Sequence, residues 1–251
     1  MSAPLDWTTN EHGHFLPRPP KSHRRVLGAV NELVNRIQPG SFTALFLRGS
    51  AATQYSLKGV FDIDLVFVIS EGQSRRLLRN EARIAWSRIA SKGLPSLDLG
   101  LASVRRLVEE TPNLTQMLLR YDGYRVIGKD IFENARPITA SRGLGKDLLR
   151  AHLAGTSRVI KEFEERSVSI PRQWIEKRIC RVGGPLSLMR GGPFSRNPAR
   201  CSQLFTEEFP EAAPQIDECL MSLLAEGGTD DNGSSWLSLW ADTSNLINRK
   251  F

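Results

Sequence analysis

The chain has 251 residues, 34 Lys and Arg against 27 Asp and Glu, and a formal net charge of +7. Hydrophobic residues make up 40% and charged residues 24%, which excludes a disordered, collagen-like or disulfide-scaffold chain. No apolar run approaches the ~20 residues that cross a bilayer, and residues 1–25 lack the apolar core of a secretory signal. The three well-separated cysteines, Cys180, Cys201 and Cys219, read as free thiols of a cytoplasmic protein.

Residues 1–22 are polar and proline-rich and read as a flexible arm. Ser22 then caps a helix to about Ile37, with Val26, Val30, Leu33 and Ile37 on one stripe. Pro39-Gly40 ends it. Short apolar strands are expected at Phe42–Leu47, Ile63–Ile69 and Leu94–Leu101. An amphipathic helix is expected from Gln73 to Ala90. Helices at 103–110 and 113–121 and a short strand at Tyr124–Ile127 complete a domain over residues 23–135. Residues 136–251 read as an all-helical domain. Its expected helices are 144–166, 172–182, 198–208, 213–225 and 236–248, with breaks at Gly183-Gly184-Pro185 and Gly191-Gly192-Pro193.

Chemistry concentrates in Leu47-Arg48-Gly49-Ser50, Asp62-Ile63-Asp64 and Ser96-Leu97-Asp98-Leu99. On a strand, residues two apart point to one face, so Asp62 and Asp64 project together. Adjacent carboxylates beside a core repel, and a divalent cation relieves that repulsion. Mg²⁺ suits the arrangement because it takes carboxylate oxygens together with substrate phosphates. If the strand carrying Asp98 is a neighbour, a third acid joins, and three acids can hold two metal ions. Gly49 lets the backbone approach a phosphate. Ser50 and the N–H groups of the turn it opens are donors to phosphate oxygens.

Gly49-Ser50, Asp62-Ile63-Asp64 and Asp98 together resemble the nucleotidyltransferase superfamily related to DNA polymerase beta, over roughly residues 24–133. The resemblance implies an α+β nucleotidyltransferase domain, a short mixed sheet flanked by helices, followed by the helical domain. It also implies Mg²⁺-dependent transfer of a nucleoside monophosphate from an NTP to an acceptor hydroxyl or phosphate, with release of pyrophosphate. On it, Asp62, Asp64 and Asp98 bind two Mg²⁺ ions, Asp98 assists as base, and Gly49 and Ser50 hold the triphosphate. The chain departs from the family's pattern at Gln54, where a glycine is common, and at Phe61, where a small or polar residue is common.

Residues 134–200 hold 14 basic and 5 acidic side chains, and residues 201–251 hold 2 and 9. A stretch so basic favours anionic partners. Helical domains of the family present basic side chains to the triphosphate, which implies Lys177, Arg178, Arg181 and Arg190 as further nucleotide-binding residues. Arg75, Arg79 and Arg83 form a stripe on the helix after the second strand, able to track a phosphate backbone. The acceptor is therefore read as RNA or a nucleotide. The alternatives are an aminoglycoside-type antibiotic, and a non-catalytic nucleotide- or RNA-binding module.

Overall fold

The computed structural model describes residues 24–52, 62–90, 94, 96–108, 114–121, 123–133, 138, 140–192, 194–224 and 234–251. The N-terminal arm, Gln54 and Phe61 lie outside them. The chain divides after Ile138 into two units.

The first unit runs α1 (Arg24–Arg36), β1 (Ala44–Arg48), β2 (Asp62–Ile69), α2 (Arg75–Ala90), β3 (Ser96–Ser103), α3 (Val104–Val108), α4 (Leu114–Tyr121) and β4 (Tyr124–Gly128). Its sheet has the order β3-β2-β1-β4. β1 is antiparallel to β2 and β4, and β2 is parallel to β3. The β2–β3 crossover is α2, as parallel pairing requires a long connection.

Strand alternation assigns a core to each face of the sheet. Ile63, Leu65, Phe67 and Ile69 of β2 pack with Leu45 and Leu47 of β1 against Val30 and Leu33 of α1 and Leu78, Ala82, Trp86 and Ile89 of α2. The opposite face carries a smaller cluster: Ala44, Phe46, Val66, Val68 and Ala102, capped by Leu107 of α3 and Leu119 of α4. Burial on both faces explains why β2 reads as a continuous apolar run after Asp64. The charged residues lie on the second face, where the smaller cluster gives out.

The second unit comprises α5 (Arg142–Glu165), α6 (Arg172–Cys180), α7 (Gly183–Met189), α8 (Pro198–Glu208), α9 (Ala213–Leu224) and α10 (Ser234–Lys250). Ser141 caps α5, its Oγ accepting from the Leu144 N–H at 3.2 Å. Asn197 caps α8 likewise through the Arg200 N–H, with Pro198 at the start of the helix, a position that needs no N–H. Among the described residues no helix is long and apolar enough to cross a membrane.

Gly183-Gly184-Pro185, expected as a break, instead forms the first turn of α7. The chain bends one step earlier, at Arg181-Val182. Proline is tolerated in a first turn. The two glycines are there for closeness: a Cβ on Gly183 would collide with the Cys201 carbonyl, and one on Gly184 with the Ser195 carbonyl. α7 therefore lies directly on the α8 segment.

The core of this unit holds several polar groups. Arg172 Nε donates to the buried Glu176 carboxylate at 2.8 Å, and its guanidinium lies 3.9 Å from the Trp236 ring centroid. Cys180, Cys201 and Cys219 are free and buried. Burial pushes the Cys180 thiol up to about 11 and the Cys201 thiol up to about 12, which leaves both protonated and unreactive.

His152 is buried, with Nε2 2.9 Å from the Arg178 carbonyl. Burial, with the charges of Arg178, Arg196 and Arg181, pushes its pKa down from 6.5 to about 3, although the carbonyl hydrogen bond opposes this. The folded protein therefore cannot take up the proton that an unfolded His152 takes up below pH 6.5. Stability is full above that value and falls as pH drops towards 3, by ~1.4 kcal/mol per unit at most. Urea unfolding at about pH 7.5 and about pH 5 should show the wild type losing ~2 kcal/mol more between the two than His152→Gln loses. Equal losses would mean that His152 titrates normally in the fold.

Candidate active site

The pairing registers place three charged residues in one row. Arg48 of β1 lies opposite Asp64 of β2, and Asp64 lies opposite Asp98 of β3. All three belong to the face that carries Phe46, Val66 and Ala102. Arg48 Nη2 donates to Asp64 Oδ1 at 3.1 Å. The Asp98 carboxyl hydrogen-bonds the Asp64 carboxyl. Partial desolvation first, then the Asp64 charge and this hydrogen bond, raise the Asp98 pKa above its ordinary value; Arg48 pulls the other way. Two carboxyls in contact, one holding its proton unusually well, are the signature of a shared acidic site.

Asp62 is two residues before Asp64 on the same face, opposite Ser96 and exposed. Its charge is a weaker influence on Asp98 than that of Asp64. Among the described residues no three acids, histidines or cysteines are grouped tightly enough to hold one ion together. The structure thus brings Asp64 and Asp98 together and leaves Asp62 at the rim. The Asp64–Asp98 pair fits a hard divalent cation by its donor chemistry and by the repulsion such an ion would relieve.

Gly49 follows Arg48 directly and has φ = +69°, a conformation that side chains with a Cβ rarely adopt. A Cβ there would fall on Asp64 Oδ2. Glycine is thus required twice: for the turn of the backbone out of β1, and for the space that Asp64 occupies. Gly49–Ala51 is a single 3-10 turn, closed by the Ala52 N–H donating to the Gly49 carbonyl at 3.1 Å. Ser50 is in this turn, next to the acidic row in the chain.

In the second unit, Lys177 and Arg178 lie in the last turn of α6 and Arg181 follows it. The Arg178 guanidinium stacks over Trp174 at 4.7 Å. Arg190 ends α7 and is engaged by carboxylates: it pairs with Glu208, and lies 4.0 Å from Glu207. Arg190 thus faces two acidic side chains of α8.

Arg48 is the site residue that sequence reasoning missed, and a signal for it was present. β1 and β2 are antiparallel and joined by residues 49–61, so the last residue of one meets the first residues of the other. That pairing puts Arg48 beside the Asp-x-Asp pair.

No protein-family model and no curated protein matches the sequence. The fold does have a solved counterpart. The chain superposes on the spectinomycin adenyltransferase AAD(9) from Enterococcus faecialis, whose structure was solved with ATP and spectinomycin. The TM-score is 0.59 at 17% identity, covering 88% of this chain and 98% of that one. The fold is that of a nucleotidyltransferase domain followed by a helical region.

Gly49→Ala tests the packing of the site. It should lower stability by ~1–3 kcal/mol, the scale of backbone strain at such a position, and should move the Asp64 and Asp98 side chains. Asp62→Ala, at the exposed rim, should change stability by less than ~0.5 kcal/mol. Thermal unfolding of both variants measures the difference; a neutral Gly49→Ala would contradict the close approach to Asp64.

Proposed function

We propose that the protein transfers a nucleoside monophosphate from ATP to an acceptor hydroxyl and releases pyrophosphate. The observation that carries this reading is the Arg48–Asp64–Asp98 row, with Gly49 held under Asp64, within a nucleotidyltransferase fold. A protein that only binds nucleotides gains nothing from two carboxyls forced into contact.

Asp64 and Asp98 are the donors for Mg²⁺, and Asp62 is the further donor that a second ion needs. When bound, a divalent ion neutralises charge on the phosphates. The rest falls to the chain's own groups. The Gly49-Ser50 turn is assigned to the triphosphate. Lys177, Arg178 and Arg181 are assigned to its negative charge, supported by the basic balance of residues 134–200. Arg190 would have to exchange Glu208 for a phosphate. An acceptor hydroxyl oxygen forms a bond to the α-phosphorus. The bond from that phosphorus to the bridging oxygen breaks, and pyrophosphate leaves with the electron pair. The hydroxyl proton goes to the Asp98 carboxylate, whose raised proton affinity suits a general base.

Two acceptor classes have support. The basic charge of the chain favours a phosphate-bearing acceptor. The match to a spectinomycin adenyltransferase over nearly its whole length favours the second reading, an aminoglycoside-type antibiotic.

Incubation with α-labelled ATP, Mg²⁺ and either total RNA or an antibiotic panel tests the reaction. Asp64→Ala should abolish labelling while the protein stays folded. Its loss of the Arg48 pair is offset by relief at Asp98, so stability should move by no more than ~1 kcal/mol. Asp98→Asn should keep ATP binding and lose on the order of 10²-fold or more in rate. Undiminished turnover in either variant would remove this site from the reaction.

A further inference from the structure

A cavity of about 400 Å³ is lined by Arg83, Trp86, Ser87 and Ala90 of α2, by Leu94, and by Ser96, Leu97, Asp98 and Leu99 of β3. That volume is within the range of small-molecule sites. It opens beside the edge strand, because among the described residues β3 pairs with β2 alone. Leu97 and Leu99 point toward α2 in the larger core, while Asp98 belongs to the opposite face. The cavity therefore reaches the edge strand at the residue assigned as base.

The helix above the cavity is strongly basic. Arg75, Arg76, Arg79 and Arg83 are all exposed, and Glu81 is the single acid in α2. Arg75, Arg79 and Arg83 recur every four residues, so they form one row ~12 Å long. Arg83 ends that row and also lines the cavity. α2 connects two parallel strands and so runs opposite to them; its N-terminal Arg75 lies toward the far end of β3 and its Arg83 toward Asp98. A single nucleotide spans too little to use all three arginines. A strand of successive phosphates can use them all.

We propose that the α2 arginine row and the α2–β3 cavity are the acceptor site, and that the acceptor is the terminus of a single-stranded RNA. Its phosphates follow Arg75, Arg79 and Arg83. Its terminal nucleoside enters the cavity between Trp86, Ser87 and Ser96, and presents a ribose hydroxyl at Asp98. The inference rests on the nucleotidyl-transfer reading: the terminal hydroxyl oxygen gains the nucleoside monophosphate, its proton passes to Asp98, and pyrophosphate leaves.

The test uses the full chain with a fluorescent single-stranded oligoribonucleotide, read by anisotropy and, separately, by label transfer from ATP. Arg75→Glu/Arg79→Glu/Arg83→Glu should weaken RNA binding at least tenfold. It should also flatten the log–log salt dependence by ~2, at ~0.7 for each single-strand phosphate no longer neutralised. Ser87→Trp, which fills the cavity and leaves the arginines in place, should keep most of the binding and abolish transfer. An oligonucleotide with its terminal hydroxyl blocked by phosphate should bind and not be labelled. RNA binding that ignores the triple reversal would overturn the proposal. So would efficient labelling of spectinomycin by the reversed variant with no labelling of RNA; in that case nucleotidyl transfer survives and the acceptor assignment alone fails. Absence of transfer from ATP to any acceptor by the wild type would instead sink the transfer reading, and the acceptor site with it.

Discussion

The registration of three strands sets everything else in the first unit. β2 pairs antiparallel with β1 on one side and parallel with β3 on the other, and both ladders stay in step at Asp64. A one-residue slip in either would turn its strand's side chains to the opposite face. It would put Leu47 or Leu97 where Arg48 or Asp98 now stands. The larger core enforces the register, because Leu47, Ile63 and Leu65 are buried with almost no exposure. The acidic pairing is therefore a consequence of hydrophobic packing on the other side of the sheet. Apolar burial of this scale outweighs the repulsion of two carboxyls, one of which can keep its proton.

Arg48 makes that repulsion tolerable in a second way. Its guanidinium lies across the row from Asp98 and is hydrogen-bonded to Asp64. A fixed cation supplied by the fold holds the acids in place before any ligand arrives. It also sets a competition, since an ion on Asp64 must share that carboxylate with Arg48. Gly49 completes the constraint from below, because any Cβ at that position would take the space of the same carboxylate.

Much of this was legible in the sequence, for physical reasons that differ element by element. β2 and α2 are legible because burial on both faces gives an unbroken apolar run, and burial on one side gives a helical stripe. Asp98 is legible as a lone acid in an apolar strand, although its meeting with Asp64 depends on parallel pairing across a crossover, which no local pattern encodes. Gly183-Gly184-Pro185 misled because glycine and proline are read locally as breakers. Here they serve a tertiary purpose, the close approach of α7 to Cys201 and Ser195. Within α6, Arg172 is taken up by a buried glutamate and an indole ring. A single glutamate within a basic helix gives no sign of which neighbour it will hold.

The two sheet faces carry different duties, and β3 is where they meet. Its odd-numbered side chains, Leu97 to Leu101, close the larger core, while Asp98 joins the acidic row. Among the described residues β3 is an edge strand with one side unpaired, a feature proteins commonly cover, shorten or charge. Here the exposed side borders a cavity under a helix crowded with arginines. An edge left open costs stability and invites unwanted pairing, so its retention beside Asp98, whose proton affinity is raised, has a functional rationale. Access to Asp98 requires that no further strand be added on that side. On the proposed acceptor site, the openness of the edge and the chemistry of the row are one constraint: the sheet ends beside Asp98.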